Sequence, residues 1–405
     1  MAKPEIRLKG FKGEWSPSTI GAIANVIGGG TPSTVVDSYW KGDIQWFTPS
    51  EIGKSRYVSN SERTISKEGL EKSSAQIIPA FSILLSSRAT VGECSINLCE
   101  CCTNQGFQSL VPKRVDLDFL YSLISTIKKD MIRESSGSTF LEISANKVRN
   151  LNVFIPDSDE QRAVGDYFKS LDSMIQGVTK KIASMKQMKQ ACLVSMFPQA
   201  GETTPRVRFK GFKGEWVIVK LSSIAKRITR KNSQLESTLP LTISAAEGLI
   251  EQTAFFNNVV ASSNVSGYYL LKKGEFAYNK SYSNGYPFGA VKRLDKYEMG
   301  VLSTLYIVFS VDESVSSDYI VHFFDTSLWH KEVAMRAAEG ARNHGLLNIG
   351  AEDFLDIDIF LPKDISEQQQ IASFFTSLDK QISLQEARLE KLEQIKAACL
   401  DKMFV

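Results

Sequence analysis

The side chains best suited to chemistry lie in short mixed loops. Lys54-Ser55-Arg56-Tyr57, Ser86-Ser87-Arg88, Thr103-Asn104-Gln105, the stretch Asn279-Lys280-Ser281-Tyr282-Ser283-Asn284 and Arg342-Asn343-His344 each join a cation or amide to hydroxyl, aromatic or imidazole groups. Arginine bonds a guanine edge through two N–H groups, asparagine and glutamine do the same for adenine, and lysine holds phosphate. A basic run from Arg206 ends in Lys226, Arg227, Arg230 and Lys231, with Glu215 as its one acid. This chemistry nominates Lys54, Arg56, Arg88, Asn104, Gln105, Arg227, Arg230, Lys231, Asn279, Lys280, Tyr282, Arg342 and Asn343 as DNA contacts. The plainer reading of any one such loop is a solvated turn.

Catalytic patterns are missing from the sequence. Gly28-Gly29-Gly30 runs into Pro32 with no Gly-Lys-Ser/Thr after it, so it reads as a helix stop and turn, not a phosphate loop. Cys94, Cys99, Cys101 and Cys102 crowd together without a second knuckle or a nearby histidine, which favours reduced thiols around a strand turn over zinc. His322, His330 and His344 are isolated, and the first two read as structural residues on a helix. No metal-protease, serine-elbow or dinucleotide motif occurs. The expectation is a chain with no catalytic residues, metal or cofactor of its own.

The elements that must position these loops are written twice. Arg7-Leu8-Lys9-Gly10-Phe11-Lys12-Gly13-Glu14-Trp15 returns as Arg208-Phe209-Lys210-Gly211-Phe212-Lys213-Gly214-Glu215-Trp216. Ile20, Ile23 and Ile27 then align with Leu221, Ile224 and Ile228 as one face of a short helix. Val153-Phe154-Ile155-Pro156 matches Ile359-Phe360-Leu361-Pro362, a strand ended by proline. A long helix follows each, with Asp159 and Ser366 as expected N-caps. Val164, Phe168, Leu171-Asp172 and Ile175 match Ile371, Phe375, Leu378-Asp379 and Ile382, and Met196-Phe197 matches Met403-Phe404. Apolar steps of four and three make a heptad seam, with Gln385 where Val178 stands in the first copy. A seam of this length needs a partner of equal length, and the economical one is the other copy.

Between the shared ends the two halves differ. Phe119 to Ile132 and Tyr319 to Ala338 read as helices, and Ser82 to Ser86, Gln108 to Val111, Glu275 to Asn279 and Thr304 to Phe309 as strands. The fold class is therefore mixed α/β (α+β): two globular domains joined by two long antiparallel helices in a coiled coil, with an internal pseudo-two-fold repeat. The segments are 1–156, the long helix 157–198, a linker 199–205, a second domain 206–363 and the second long helix 364–405. A duplicated frame with unlike inserts does one job twice and two different jobs once each. A net charge of +3 confines any basic surface to local patches. No secretory leader or membrane-length apolar run is seen in the 405 residues, which suits a reduced, cytoplasmic protein.

The whole pattern resembles the specificity subunit of type I restriction-modification systems. The resemblance rests on Gly29-Gly30-Thr31-Pro32-Ser33, Tyr39-Trp40, Ile44-Gln45-Trp46, Thr103-Asn104-Gln105-Gly106-Phe107 and Glu367-Gln368-Gln369-Gln370-Ile371-Ala372 through to Met403-Phe404. It implies two target-recognition domains, each reading half of a split DNA site, and a coiled coil that spaces them. It also implies docking of two modification (methyltransferase) subunits, which bring S-adenosylmethionine, and of restriction (motor-nuclease) subunits. A self-sufficient methyltransferase would need an Asn-Pro-Pro-aromatic or similar motif that this sequence lacks. A coiled-coil adaptor joining two protein-binding domains is the alternative. Helices of about 37 residues are roughly 55 Å long, which suits half-sites about one turn of duplex apart.

Overall fold

The computed structural model describes residues 2–137, 141–199, 201–244, 248–253, 264–281, 285–337 and 347–405. Two helices dominate it, Ser158–Ser195 and Ile365–Met403. Each starts just past a proline and an aspartate, earlier than expected. Asp157 Oδ1 accepts from the backbone N–H groups of Asp159 and Glu160, and Asp364 Oδ1 accepts from the N–H and hydroxyl of Ser366. These aspartates, and not Asp159 and Ser366, satisfy the open N–H groups of the first turn.

The chain forms two compact units that exchange helix ends: residues 1–181 with 385–405, and residues 182–384. In the first unit, Ser16–Thr19 pairs antiparallel with Asn152–Ile155 to make a basal ribbon. Above it lies a five-stranded sheet in the order Ala24–Gly28, Gln108–Pro112, Ile83–Leu85, Cys94–Asn97, Tyr57–Val58. A three-stranded sheet has Trp40–Phe47 between Arg63–Ile65 and Cys101–Thr103. The second unit repeats the ribbon as Val217–Lys220 against Asp358–Leu361. Its four-stranded sheet runs Ala225–Arg227, Ile307–Val311, Phe276–Asn279, Ala290–Arg293, beside two two-stranded sheets, Leu241–Ser244 with Gly248–Glu251 and Tyr269–Lys272 with Met299–Leu302.

Several local expectations give way. The short helix is a single turn, Ile20–Ile23, and Ile27 lies on the following strand Ala24–Gly28. Arg227 likewise ends a strand, not a helix. Gly29 and Gly30 are close-approach positions, not a helix stop. A Cβ at Gly29 would lie 2.0 Å from the Asn104 carbonyl oxygen, and one at Gly30 would lie 2.3 Å from Ser74 backbone. The helix read from Phe119 to Ile132 is broken into Leu117–Thr126 and Lys128–Glu134, and the one read from Tyr319 into Ser317–Phe323 and His330–Arg336. In both breaks a threonine hydroxyl, of Thr126 or Thr326, donates to the carbonyl three residues back and competes with the helical ladder.

The repeated motif closes each unit the same way. Arg7 grips the nearly fully buried Glu160 carboxylate with Nε and Nη2, at 2.7 and 2.6 Å, and Arg208 grips Glu367 at 2.7 Å twice. Their Nη1 atoms donate to the carbonyls of Gly13 and Gly214, whose φ angles of 100° and 82° fit glycine. The motif tryptophans then enter matching aromatic clusters. Trp15 meets Phe119 and Phe404, with Phe168 against Phe404; Trp216 meets Tyr319 and Phe197, with Phe375 against Phe197. Truncating such a ring costs about 3–5 kcal/mol.

Within each unit the helix segments run antiparallel. In the first, Tyr167 lies beside Cys399 and Asp172 beside Lys396; in the second, Met185 packs on Leu378 and Ile382, and Lys189 on Asp379. The seam residues Val164, Phe168, Leu171, Ile371, Phe375 and Leu378 are buried. No helix among the described residues is long and apolar enough to cross a membrane.

Candidate nucleic-acid interface

The nominated contacts fall into three groups. Tyr282, Arg342, Asn343 and also His344 lie outside the described residues. Lys54, Gln105, Arg227 and Lys231 are exposed. Lys54 and Arg227 have no ion-pair partner among the described residues, and Arg227 ends the outer strand of its sheet. Gln105 Oε1 accepts from the Thr31 hydroxyl at 2.6 Å, joining the loop after Cys101–Thr103 to the glycine loop. Lys231 Nζ stands 4.3 Å from the centre of the Tyr269 ring and donates to the Gly267 carbonyl. Asn104 and Asn279 each accept a backbone N–H two residues on, from Gly106 and Ser281, and so shape turns. Lys280 Nζ donates to the Ile349 carbonyl at 3.3 Å.

Three arginines carry ion pairs, and magnitudes separate them. Arg88 and Glu142 are each about two-fifths exposed, so their pair is worth about 0.2–1 kcal/mol, less than the roughly 1–3 kcal/mol of a good base contact. Arg88 can therefore exchange Glu142 for a base. Arg230 holds Glu275 at 2.7 Å from a partly buried position. Arg56 is different. Its side chain is 7% exposed, pairs with Asp118 at 2.7 Å and with Asp172, and lies over the Tyr121 ring at 4.3 Å. Breaking a buried pair costs about 3–5 kcal/mol, more than a base returns. Burial lowers the Arg56 pKa, but Asp118 and Asp172 outweigh it and leave the group charged. The structure gives Arg56 a place inside the unit.

A surface that residue reading missed lies beside the glycine loop. The Arg63 guanidinium sits 3.6 Å from the centre of the Trp40 ring, and Trp40 Nε1 donates to the Ser33 carbonyl. Arg63 is exposed. The signal was the alternation of Trp40 and Trp46 opposite Arg63, which only the strand register brings together.

The buried cysteines, with His322 and His330, are structural. Burial pushes the Cys94 and Cys101 thiols up to about 12 and Cys102 to about 11, which removes thiolate character. His322 Nε2 lies 3.0 Å from the Thr376 hydroxyl, and His330 packs on Phe288 and Trp329. His322, Asp325 and Asp379 converge as a metal site would. The Lys189 ammonium, 2.9 Å from Asp325 and 2.8 Å from Asp379, already stands there as the cation.

A family model described as the type I restriction modification DNA specificity domain matches the chain twice, over residues 12–187 and 213–394. The MjaIX type I restriction enzyme specificity subunit of Methanocaldococcus jannaschii is 34% identical over 173 residues, 42% of this chain and 40% of that protein. The EcoR124I/EcoR124II specificity subunit of Escherichia coli is 25% identical over 193 residues, 45% of this chain and 48% of that protein. Each alignment thus spans less than half of the relative. The fold is similar to the crystal structure of a type I restriction-modification S subunit from M. genitalium, with TM-score 0.61, 13% identity, and 100% and 99% of the two chains covered. A chain from a structural study of type I complex assembly and conformational transition aligns with TM-score 0.54 and 14% identity, covering 96% of this chain and 97% of that one.

Proposed function

This chain belongs to the type I restriction-modification DNA specificity family, and we propose that it reads a split, asymmetric duplex site, one half with each recognition domain. The observation that carries this reading is the repeated frame with unlike inserts. Ribbon, arginine clamp, aromatic cluster and helix recur position for position, whereas the sheets between them differ in order and number. Recognition uses solvent-facing side chains: Lys54, Gln105 and the part-exposed Arg88 with the strand residue Arg63 in the first unit, and Lys231 with the strand-end Arg227 in the second.

The same repeat supports a partner that binds twice. Gln187, Met188 and Ala191 on one helix match Gln394, Ile395 and Ala398 on the other, and all six are exposed. Exposed residues kept in both copies suit two modification subunits, each meeting one copy. On these helices Lys180, Lys181, Lys186, Arg388 and Lys391 are exposed, while Lys189 and Lys396 are ion-paired inside their units. The partners supply S-adenosylmethionine and adenine methylation, motor-nuclease subunits add cleavage, and the work is cytoplasmic.

The test is to purify the chain with its modification partner and map methylated adenines across a genome. The expected motif has two short blocks separated by unread bases. One contiguous block would overturn the split-site reading, and no methylation or duplex binding would return the adaptor alternative.

A further inference from the structure

Asp172 and Asp379 hold the same place in the two long helices, and so do Lys189 and Lys396. Each aspartate binds the lysine of the opposite helix: Lys396 Nζ to Asp172 at 2.7 Å, and Lys189 Nζ to Asp379 at 2.8 Å. In both units the recognition domain joins this rung. In the first, Arg56 binds Asp172 together with Asp118, whose other oxygen accepts from Lys169 at 2.9 Å. In the second, Lys189 is shared with Asp325, which is flanked by Lys292 at 3.5 Å and His322 at 3.5 Å. The domains have different sheets and reach the rung with different residues. Apolar packing along a seam is tolerant of sliding and tilting; partly buried charges bonded to two helices and a domain at once are less so, and the best-attested use of such groups is to fix one arrangement.

We propose that these two ionic junctions set the attitude of each recognition domain on its own helix pair, making Arg56, Asp172, Lys396, Lys189, Asp325 and Asp379 positioning residues for spacer selection. This rests on the split-site reading for its consequence, but not for its geometry. An error in attitude shifts where a half-site meets its domain, so loosened junctions accept spacers one base pair longer or shorter, with the bases of each half-site unchanged.

The experiment uses the full chain. Bio-orthogonal spin labels at Glu71 and Ser173 report the first unit, and labels at Lys272 and Gln381 the second, all at exposed positions. Asp172→Asn and Asp379→Asn are each expected to broaden the label distance distribution in their own unit, with Lys396→Arg and Lys189→Arg keeping it narrow. With the modification partner, duplexes carrying the mapped half-sites at stepped spacings are then methylated. The preference for the best spacing over its neighbours is expected to fall about tenfold in the asparagine variants. Circular dichroism melts confirm that they are folded. Unchanged distance widths overturn the proposal whether or not DNA is read. Broadened widths with an equally sharp spacer profile overturn the link to spacing. A wild-type complex with no split site would instead be a failure of the functional reading, and the distance widths still decide the junctions.

Discussion

Asp325 is a largely buried carboxylate, about one-fifth exposed, set among Lys189, Lys292 and His322, with Asp379 sharing Lys189. Burial pushes its pKa up, yet the hydrogen bond with His322 and the charges of Lys292 and Lys189 win and hold it well below the usual carboxylate range. A depressed folded-state pKa means that its stabilisation is fully present above the unfolded value, about 3.9, and is lost as pH falls below it. Asp325→Asn is therefore expected to destabilise the protein by about 1.5–3 kcal/mol at neutral pH, the worth of a hydrogen bond to a charged group. Denaturant titrations across pH should show the gap to wild type closing below about pH 4. A gap constant down to pH 3 would mean that the carboxylate's charge is not what matters. The sequence showed Asp379 as a member of the repeat, but not this cluster. Residues 189, 325 and 379 meet only through the antiparallel pairing of helices and the break after Phe323. The same limit explains Arg56. Its loop composition suited DNA, and nothing local revealed Asp118 and Asp172 waiting beneath it.

Elements were more legible than residues because their signal is periodic. The heptad seam and the strand-then-proline lead into each helix are statements about spacing, and burial of Phe168, Leu171, Phe375 and Leu378 follows that spacing. Where one side chain decides, spacing failed. Thr126 and Thr326 stand at the helix breaks with their hydroxyls on the carbonyls three residues back, and Asp157 and Asp364 rather than Asp159 and Ser366 cap the long ones. The cap assignment is directly testable. Asp157→Ala and Asp364→Ala should each cost about 1 kcal/mol, and Asp159→Ala a few tenths at most, since its pair with Arg162 is exposed. Equal losses from Asp157→Ala and Asp159→Ala in denaturant unfolding would restore the later start of the first helix.

At the scale of the whole chain, the repeat has a cyclic character that only the contacts disclose. In the second unit the Val207 N–H donates to the Ser195 carbonyl at 2.8 Å, and the intervening chain carries Phe197 into the cluster around Trp216. In the first unit the Ile6 N–H donates to the Lys402 carbonyl at 2.9 Å, and Phe404 takes the place of Phe197 beside Trp15. One junction is a covalent linker and the other is made by two separate stretches of chain, yet the hydrogen bond and the aromatic contact are the same. Eleven residues separate Ser195 from Val207, and eight stand between Lys402 and Ile6 counted through the two ends of this sequence. A linker of about four residues joining Val405 to Ala2, which replaces Met1, should therefore bridge the first junction without strain, since ends this close favour permutation. Cutting the chain between Gly201 and Glu202 would then leave the second junction noncovalent, as the first is now. The permuted protein is expected to fold with an unchanged circular dichroism spectrum, to melt within a few degrees of the parent, and to direct methylation to the same split motif. Cutting instead between Ala183 and Ser184, inside the first long helix, should abolish folding, because no matching junction waits there to receive new ends. A permuted chain that folds but reads a different motif would show that the linker, and not the helix pair with its junctions, positions the recognition domains.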